Sequence, residues 1–326
     1  PEYMSWRLPE VGGSFVQAES EVSAINMIYG AAATGVRCMT SSSSPGISLK
    51  QEGISYCAGA DLPFFYANVV RGGPGLGNIA GAQGDYFQST RGGGHGDYKV
   101  FVMAPDSVSE MGNFPRKCYE IAYKYRIPTM VLADGIIGQM MEPVEFKDPE
   151  VDVAKLPKLD WNLGIARDRK KRIVLSYDLA EDMLEKMVLA RVEKYKEIEE
   201  NEVMYEEKQI DDAEIIIVAY GTSARVSMAA IKMAREKGIK VGLFRPITLW
   251  PFPKKRISEL GDKVKNFLAV EMSIGQMIED VQLSLNGKAK VYLHSKPGGS
   301  IMAAEDVLKT IEAISKKGAK EYATTK

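Results

Sequence analysis

Short apolar runs alternate with helical or small-residue stretches along the first 135 residues, and no other feature restricts the fold so strongly. The runs are VRCMT, PFFYANVV, KVFVMAP and PTMVLADG. Strands separated by helices in this rhythm form a parallel sheet, which needs helices on both faces. Residues 19–35 have a helical period and stop at a glycine, and 47–60 and 107–126 are the next helices. SSSSPG (41–46) is read as the loop between the first strand and its helix, and 71–96 as a glycine-rich loop. From about 146 to 212 the pattern breaks into a polar, proline-bearing stretch and one long charged helix. A second α/β unit follows: AEIIIVAYGTSA as strand and turn, 225–238 as a helix, 240–253 as one strand running into a proline-rich turn, then strands at 266–273 and 290–299 and a helix over 302–316. The expected organisation is an α/β domain over 1–165, a helical connector over 166–212 and a second α/β domain over 213–326. PEYMSWRLPEVGG at the start reads as the middle of a structure already under way, so a first strand and the natural N-terminus are expected upstream.

A chain of 326 residues, 45% hydrophobic, has material for two ordinary cores. Forty-two basic against 43 acidic residues leave a net charge of −1, which gives no field for nucleic acid or an anionic membrane. Cys38, Cys57 and Cys118 are widely spaced and odd in number, which fits a reducing cytoplasm better than a disulfide framework. Three thiols are too few to ligate an iron–sulfur cluster, so any electron-transfer centre is expected on another chain. No run approaches the length of a membrane span, and no apolar leader is visible.

Several residues offer chemistry. Gly75, Gly77 and Ala80 match the G-x-G-x-x-A dinucleotide fingerprint, but the acidic residue that should hold the ribose is missing at its proper distance; Asp97 is too early and Asp106 some ten residues late. Arg71 ends the strand PFFYANVV, where open α/β sheets place ligand contacts, and its fork suits a carboxylate. Glu21 opens a helix of small and apolar residues; dipole capping explains it by default, and a shielded position would make it a proton donor to a heterocycle. Ser42 and Ser43 lie in the strand-to-helix tract, where hydroxyls and backbone N–H groups can meet an anion or a polar ring edge. His95 and His294 are the two histidines and stand on different units, which disfavours a triad or a histidine metal site. The methionines, such as Met183 and Met187, read as core filler.

In order, QAESEVSAINMIYGAAATG, TSSSSPGISLKQE, ANVVRGGPGLGN with AQGD, IIIVAYGTSA and LFRPITLWPFP resemble the alpha subunits of thiamine-diphosphate-dependent 2-oxoacid:ferredoxin oxidoreductases over essentially the whole chain. The wording around Arg71 and residues 92–97 is most similar to the branched-chain (2-oxoisovalerate, or 3-methyl-2-oxobutanoate) type, with the 2-oxoglutarate type next. The resemblance implies a pyrimidine-type parallel-sheet domain followed by a transketolase-C-terminal-like α/β domain. It implies that Glu21 hydrogen-bonds N1′ of the thiamine diphosphate aminopyrimidine, that Ser42 and Ser43 line the cofactor, and that Arg71 holds the 2-oxoacid carboxylate. Oxidative decarboxylation would then deliver an acyl group to coenzyme A and electrons to ferredoxin. Mg2+ would belong to a beta subunit and 4Fe–4S clusters to other subunits, among them gamma and delta-type chains. The family's G-Y-P-I-T-P loop and its G-D-G diphosphate segment are not present in this sequence. A nicotinamide-dependent oxidoreductase and a non-catalytic assembly subunit are the competing expectations.

Overall fold

The computed structural model of the chain describes residues 1–146, 151, 156–164 and 169–317. Helix α1 (Glu2–Glu10) opens the described chain and buries none of its residues. Helix α2 (Glu21–Ala33) follows the Ser20 N-cap, whose hydroxyl accepts from the Ser23 N–H. The first sheet then builds from β1 (Met39–Ser42), α3 (Ser44–Gly59), β2 (Phe64–Val70), α4 (Tyr86–Arg91), β3 (Phe101–Met103), α5 (Val108–Tyr125), β4 (Pro128–Asp134) and α6 (Gly135–Gln139). FFYANVV and PTMVLAD are the central strands. Both are buried almost throughout, as a parallel sheet covered on two faces requires, and they pair from Phe64↔Pro128 to Val70↔Asp134.

Strand β1 corrects the expectation at this edge. The ladder to β2 runs through Ser41↔Ala67 and Ser42↔Asn68, and α3 begins at Ser44. Backbone pairing overrides the loop character of the serines, since an edge strand tolerates polar side chains on its open face. The serines therefore stand at the carboxyl end of the strand.

Helix α7 (Glu181–Asn201) leads to β5 (Tyr205–Lys208), so the expected connector ends in a strand. The second sheet takes β6 (Ile215–Val218), α8 (Gly221–Glu236), β7 (Val241–Pro246), α9 (Lys254–Lys263), β9 (Asn266–Glu271), α10 (Met277–Leu285), β10 (Lys290–Ser295) and α11 (Ala304–Lys317). Its order is β10-β9-β6-β7-β5, parallel except for β5. The single strand expected over 240–253 is two. After β7 the chain leaves the second sheet at Pro246, which has no N–H to donate, and β8 (Thr248–Trp250) joins the first sheet antiparallel to β3. The first sheet is thus β1-β2-β4-β3-β8, closed at one edge by a strand from the far half of the sequence. One continuous core reaches from Phe64 and Met130 to Val218, Phe244 and Phe267, and a second lies between the other face of the second sheet and α8 and α11.

Candidate functional site

Helices α2 and α3 start side by side at the carboxyl ends of the first sheet, and two glycines set how closely they approach. A Cβ on Gly46 would lie 2.0 Å from Ser42 Oγ and 2.7 Å from Glu21 Oε1; one on Gly53 would lie 2.5 Å from Ile25. Glu21 and Ile25 are one turn apart on α2, and Gly46 and Gly53 two turns apart on α3, so the two stripes face each other. Glu21 and Ser42 are therefore brought together over the first turn of α3. Glu21 is half-buried, and among the described residues its carboxylate accepts no hydrogen bond. Ser43 is the N-cap of α3 but makes no side-chain cap bond, so its hydroxyl and that of Ser42 stay unspent next to helix-terminal N–H groups.

Arg71 is reached from the same helix end. The Arg71 N–H donates to Ser44 Oγ (3.1 Å), and the Ser44 N–H donates to Asn68 Oδ1 (3.1 Å). Asn68, fully buried in β2, also donates through Nδ2 to Asp85 (3.0 Å). The Arg71 guanidinium donates from Nη2 to the Leu76 carbonyl (3.4 Å), while its buried Nε has no acceptor among the described residues. A buried guanidinium donor left unpaired is costly, and an incoming carboxylate would satisfy it.

The loop after Arg71 settles the dinucleotide reading. It doubles back on itself: Arg71 bridges Gly81 antiparallel, and Gly72 and Ala80 exchange a backbone bond of 2.9 Å. Gly77, at φ +60, lies so close to the Gly72 carbonyl that a Cβ would come within 1.7 Å of its oxygen. These glycines close a hairpin; they do not open a helix onto a pyrophosphate, which the fingerprint requires. Asp106 has other work, at 3.4 Å from Arg245 in an ion cluster. Burial raises the Asp106 pKa against the pull of Arg245.

The second unit grips the stretch that follows this loop. Gln83 donates to the Tyr220 carbonyl and accepts from Ser223 Oγ and the Met272 N–H. Tyr86 and Arg91 both donate to Asp280, and Asn78 reaches the Gly298 carbonyl (2.9 Å). Asp134, at the end of β4, accepts from the N–H groups of Ile136 and Ile137 and from Thr222.

His95 is exposed in a loop whose Gly94 N–H donates to Tyr98 OH (2.8 Å), which in turn donates to Gln51 of α3 (3.4 Å), and His294 stands on β10 beside Thr310; neither meets Glu21 or Arg71 in a hydrogen bond. Burial pushes the Cys38 thiol up to about 12 and the Cys57 and Cys118 thiols further still, so all three remain protonated at neutral pH. Among the described residues no group of three or more His, Cys, Asp or Glu is arranged to hold a metal ion, and no helix is long and apolar enough to cross a membrane. Sequence reasoning missed Asn68 and Lys50. Asn68 was detectable as the one polar residue of an apolar strand; Lys50, a buried lysine of α3, carried no signal, since a helical lysine is ordinarily solvated.

Residues 2–220 match the family described as "Pyruvate flavodoxin/ferredoxin oxidoreductase, thiamine diP-bdg", and residues 213–307 match "Pyruvate:ferredoxin oxidoreductase core domain II". The ketoisovalerate oxidoreductase subunit VorB of Methanothermobacter thermautotrophicus is 52% identical over 306 residues, covering 94% of this chain and 86% of that one. The chain belongs to the alpha-type subunits of the 2-oxoacid:ferredoxin oxidoreductases. Its first unit is the thiamine-diphosphate-binding domain of that family and its second is core domain II. A 2-oxoglutarate synthase subunit KorA from the same organism is 32% identical over 337 residues, covering 95% of this subunit and 89% of KorA. A solved 2-oxoglutarate:ferredoxin oxidoreductase from Magnetococcus marinus, with 2-oxoglutarate, coenzyme A and succinyl-CoA bound, superposes at a TM-score of 0.80 and 22% identity over 96% of this subunit. That likeness shows the shared fold, and this alpha-type subunit spans 59% of the solved chain.

Proposed function

We propose that this subunit forms the pyrimidine side and the substrate-carboxylate anchor of a branched-chain 2-oxoacid:ferredoxin oxidoreductase. The reaction converts a 2-oxoacid, coenzyme A and two oxidised ferredoxins into acyl-CoA, CO2, a proton and two reduced ferredoxins. One observation carries the reading. At the carboxyl ends of β1 and β2 a carboxylate without a donor, Glu21, and a guanidinium with an unpaired buried Nε, Arg71, flank one helix N-terminus. These groups fit an aminopyrimidine edge and a 2-oxoacid carboxylate.

When bound, thiamine diphosphate supplies the electron sink on which a 2-oxoacid loses CO2. The Glu21 carboxyl holds and returns a proton at the ring nitrogen N1′. The Ser42 and Ser43 hydroxyls meet the ring edge, and the Arg71 fork fixes the substrate carboxylate through two parallel hydrogen bonds. A beta subunit would carry the diphosphate and its Mg2+, and further gamma and delta-type subunits would carry 4Fe–4S clusters that pass single electrons to ferredoxin. The 52% identity to a ketoisovalerate subunit against 32% to a 2-oxoglutarate subunit supports the branched-chain substrate.

The test uses the complex purified with its native partners, assayed for ferredoxin reduction with coenzyme A and 3-methyl-2-oxobutanoate, pyruvate or 2-oxoglutarate. We expect the highest kcat/KM for 3-methyl-2-oxobutanoate. A preference for 2-oxoglutarate would replace the substrate assignment, and no turnover with any of the three would overturn the function.

A further inference from the structure

A lysine is sealed beneath Glu21. Lys50 is 1% exposed and lies on the stripe of α3 between Gly46, which touches Glu21, and Gly53, which touches Ile25. Helical side chains lean toward the helix N-terminus, so its stem runs back toward Gly46 and the carboxylate. Its ammonium donates to Thr40 Oγ1 (2.7 Å) and the Ser41 carbonyl (3.1 Å), next in the chain to Ser42. Neither acceptor carries charge. Burying an ammonium with neutral acceptors alone is expensive, and a methionine would fill the same space without that cost.

We infer that Lys50 is a positioning residue of this site: its buried ammonium is the counter-charge that holds the Glu21 carboxylate in place for the cofactor ring. Lys50 is not placed to touch the ring, because it is 1% exposed and its ammonium is spent on Thr40 and Ser41 of β1. The inference rests on the cofactor role of Glu21 proposed above. Burial lowers the Lys50 pKa and Glu21 pulls it back up. The charged group acting on Lys50 from α2 is Glu21; β1 contributes a hydroxyl and a carbonyl, and Glu52, on α3 itself, is exposed and accepts from Tyr56.

The sign of the pH effect follows. Lys50 loses its proton at lower pH than an exposed lysine, and with it Glu21 loses its counter-charge, so kcat/KM of the native complex has an alkaline limb. In the assembled complex with thiamine diphosphate and Mg2+, Lys50→Arg keeps most activity and moves this limb to higher pH, because a guanidinium stays charged. Lys50→Met lowers kcat/KM by about 10- to 100-fold, the loss of one hydrogen-bonded charge, and flattens the limb. Calorimetric titration with thiamine diphosphate gives a readout apart from turnover. Lys50→Met weakens binding in the native background and has no further effect when Glu21 is already Gln, the non-additivity of a coupled pair. An alkaline limb unmoved by Lys50→Arg, or binding losses that simply add, would overturn the inference. If Lys50→Met does not fold, the Lys50→Arg profile decides alone. Should Glu21→Gln retain full turnover, the functional reading fails, whereas the binding cycle still reports whether the two residues are coupled.

Discussion

Arg71 has its backbone pinned and its side chain only half used. Ser44 fixes the main chain from the side of α3, the Leu76 carbonyl takes one N–H of the fork, and among the described residues the buried Nε has no acceptor. A lysine at this position would keep the charge and lose the planar fork. Arg71→Lys is therefore expected to raise KM for the 2-oxoacid by about 10- to 100-fold with a smaller effect on kcat, the magnitude of a hydrogen bond to a charged group. Steady-state kinetics of the complex checks this, and an unchanged KM would remove the carboxylate role. Arg71 was legible in the sequence because it ends an unmistakable apolar strand. Lys50 was not, since a helical lysine is usually solvated and its burial depends on neighbouring elements whose approach cannot be read locally. Asn68 lies between these cases: its polarity stood out in FFYANVV, but its partners Ser44 and Asp85 come from the starts of two separate helices.

At the scale of elements, the site is a product of how α2 meets α3. The glycine stripe lets Glu21 sit over the first turn of α3, where no side chain larger than a hydrogen fits. Gly46→Ala is expected to push Glu21 and Ser42 apart, at a cost of about 1–3 kcal/mol for overpacking. Activity falls by much more than that stability loss implies, since catalysis depends on sub-ångström placement. A thermal melt and a turnover assay on the same complex separate the two effects; equal activity in the variant would show that Glu21 need not sit there. The alternation of strands and helices was readable from the apolar runs. The start of α3 within the serine tract, the hairpin made by the glycine-rich loop and the sheet change at Pro246 were not, because each is decided by backbone pairing with residues distant in the chain.

The whole molecule explains why the halves cannot be understood separately. Strand β8 completes the first sheet, Gln83 and Asp280 lock the segment after Arg71 to the second unit, and Arg245, 3% exposed, joins Glu110 of α5 to Glu206 of β5. The loop that follows the proposed substrate anchor, Arg71, is thus held by the unit that carries no candidate catalytic group. The division into two α/β units was visible in the sequence as a change from apolar rhythm to a charged helix; their shared core and exchanged strand were hidden in non-local pairing. At this scale the central claim is that the chain contributes a working half-site to an assembly. The most direct measurement is 2-oxoacid-dependent ferredoxin reduction by the intact complex carrying Glu21→Gln. Loss of a proton-handling carboxyl predicts a fall of about 10²- to 10⁴-fold in kcat with the complex still assembled, whereas full ferredoxin reduction by that variant would leave the subunit a scaffold and contradict the account.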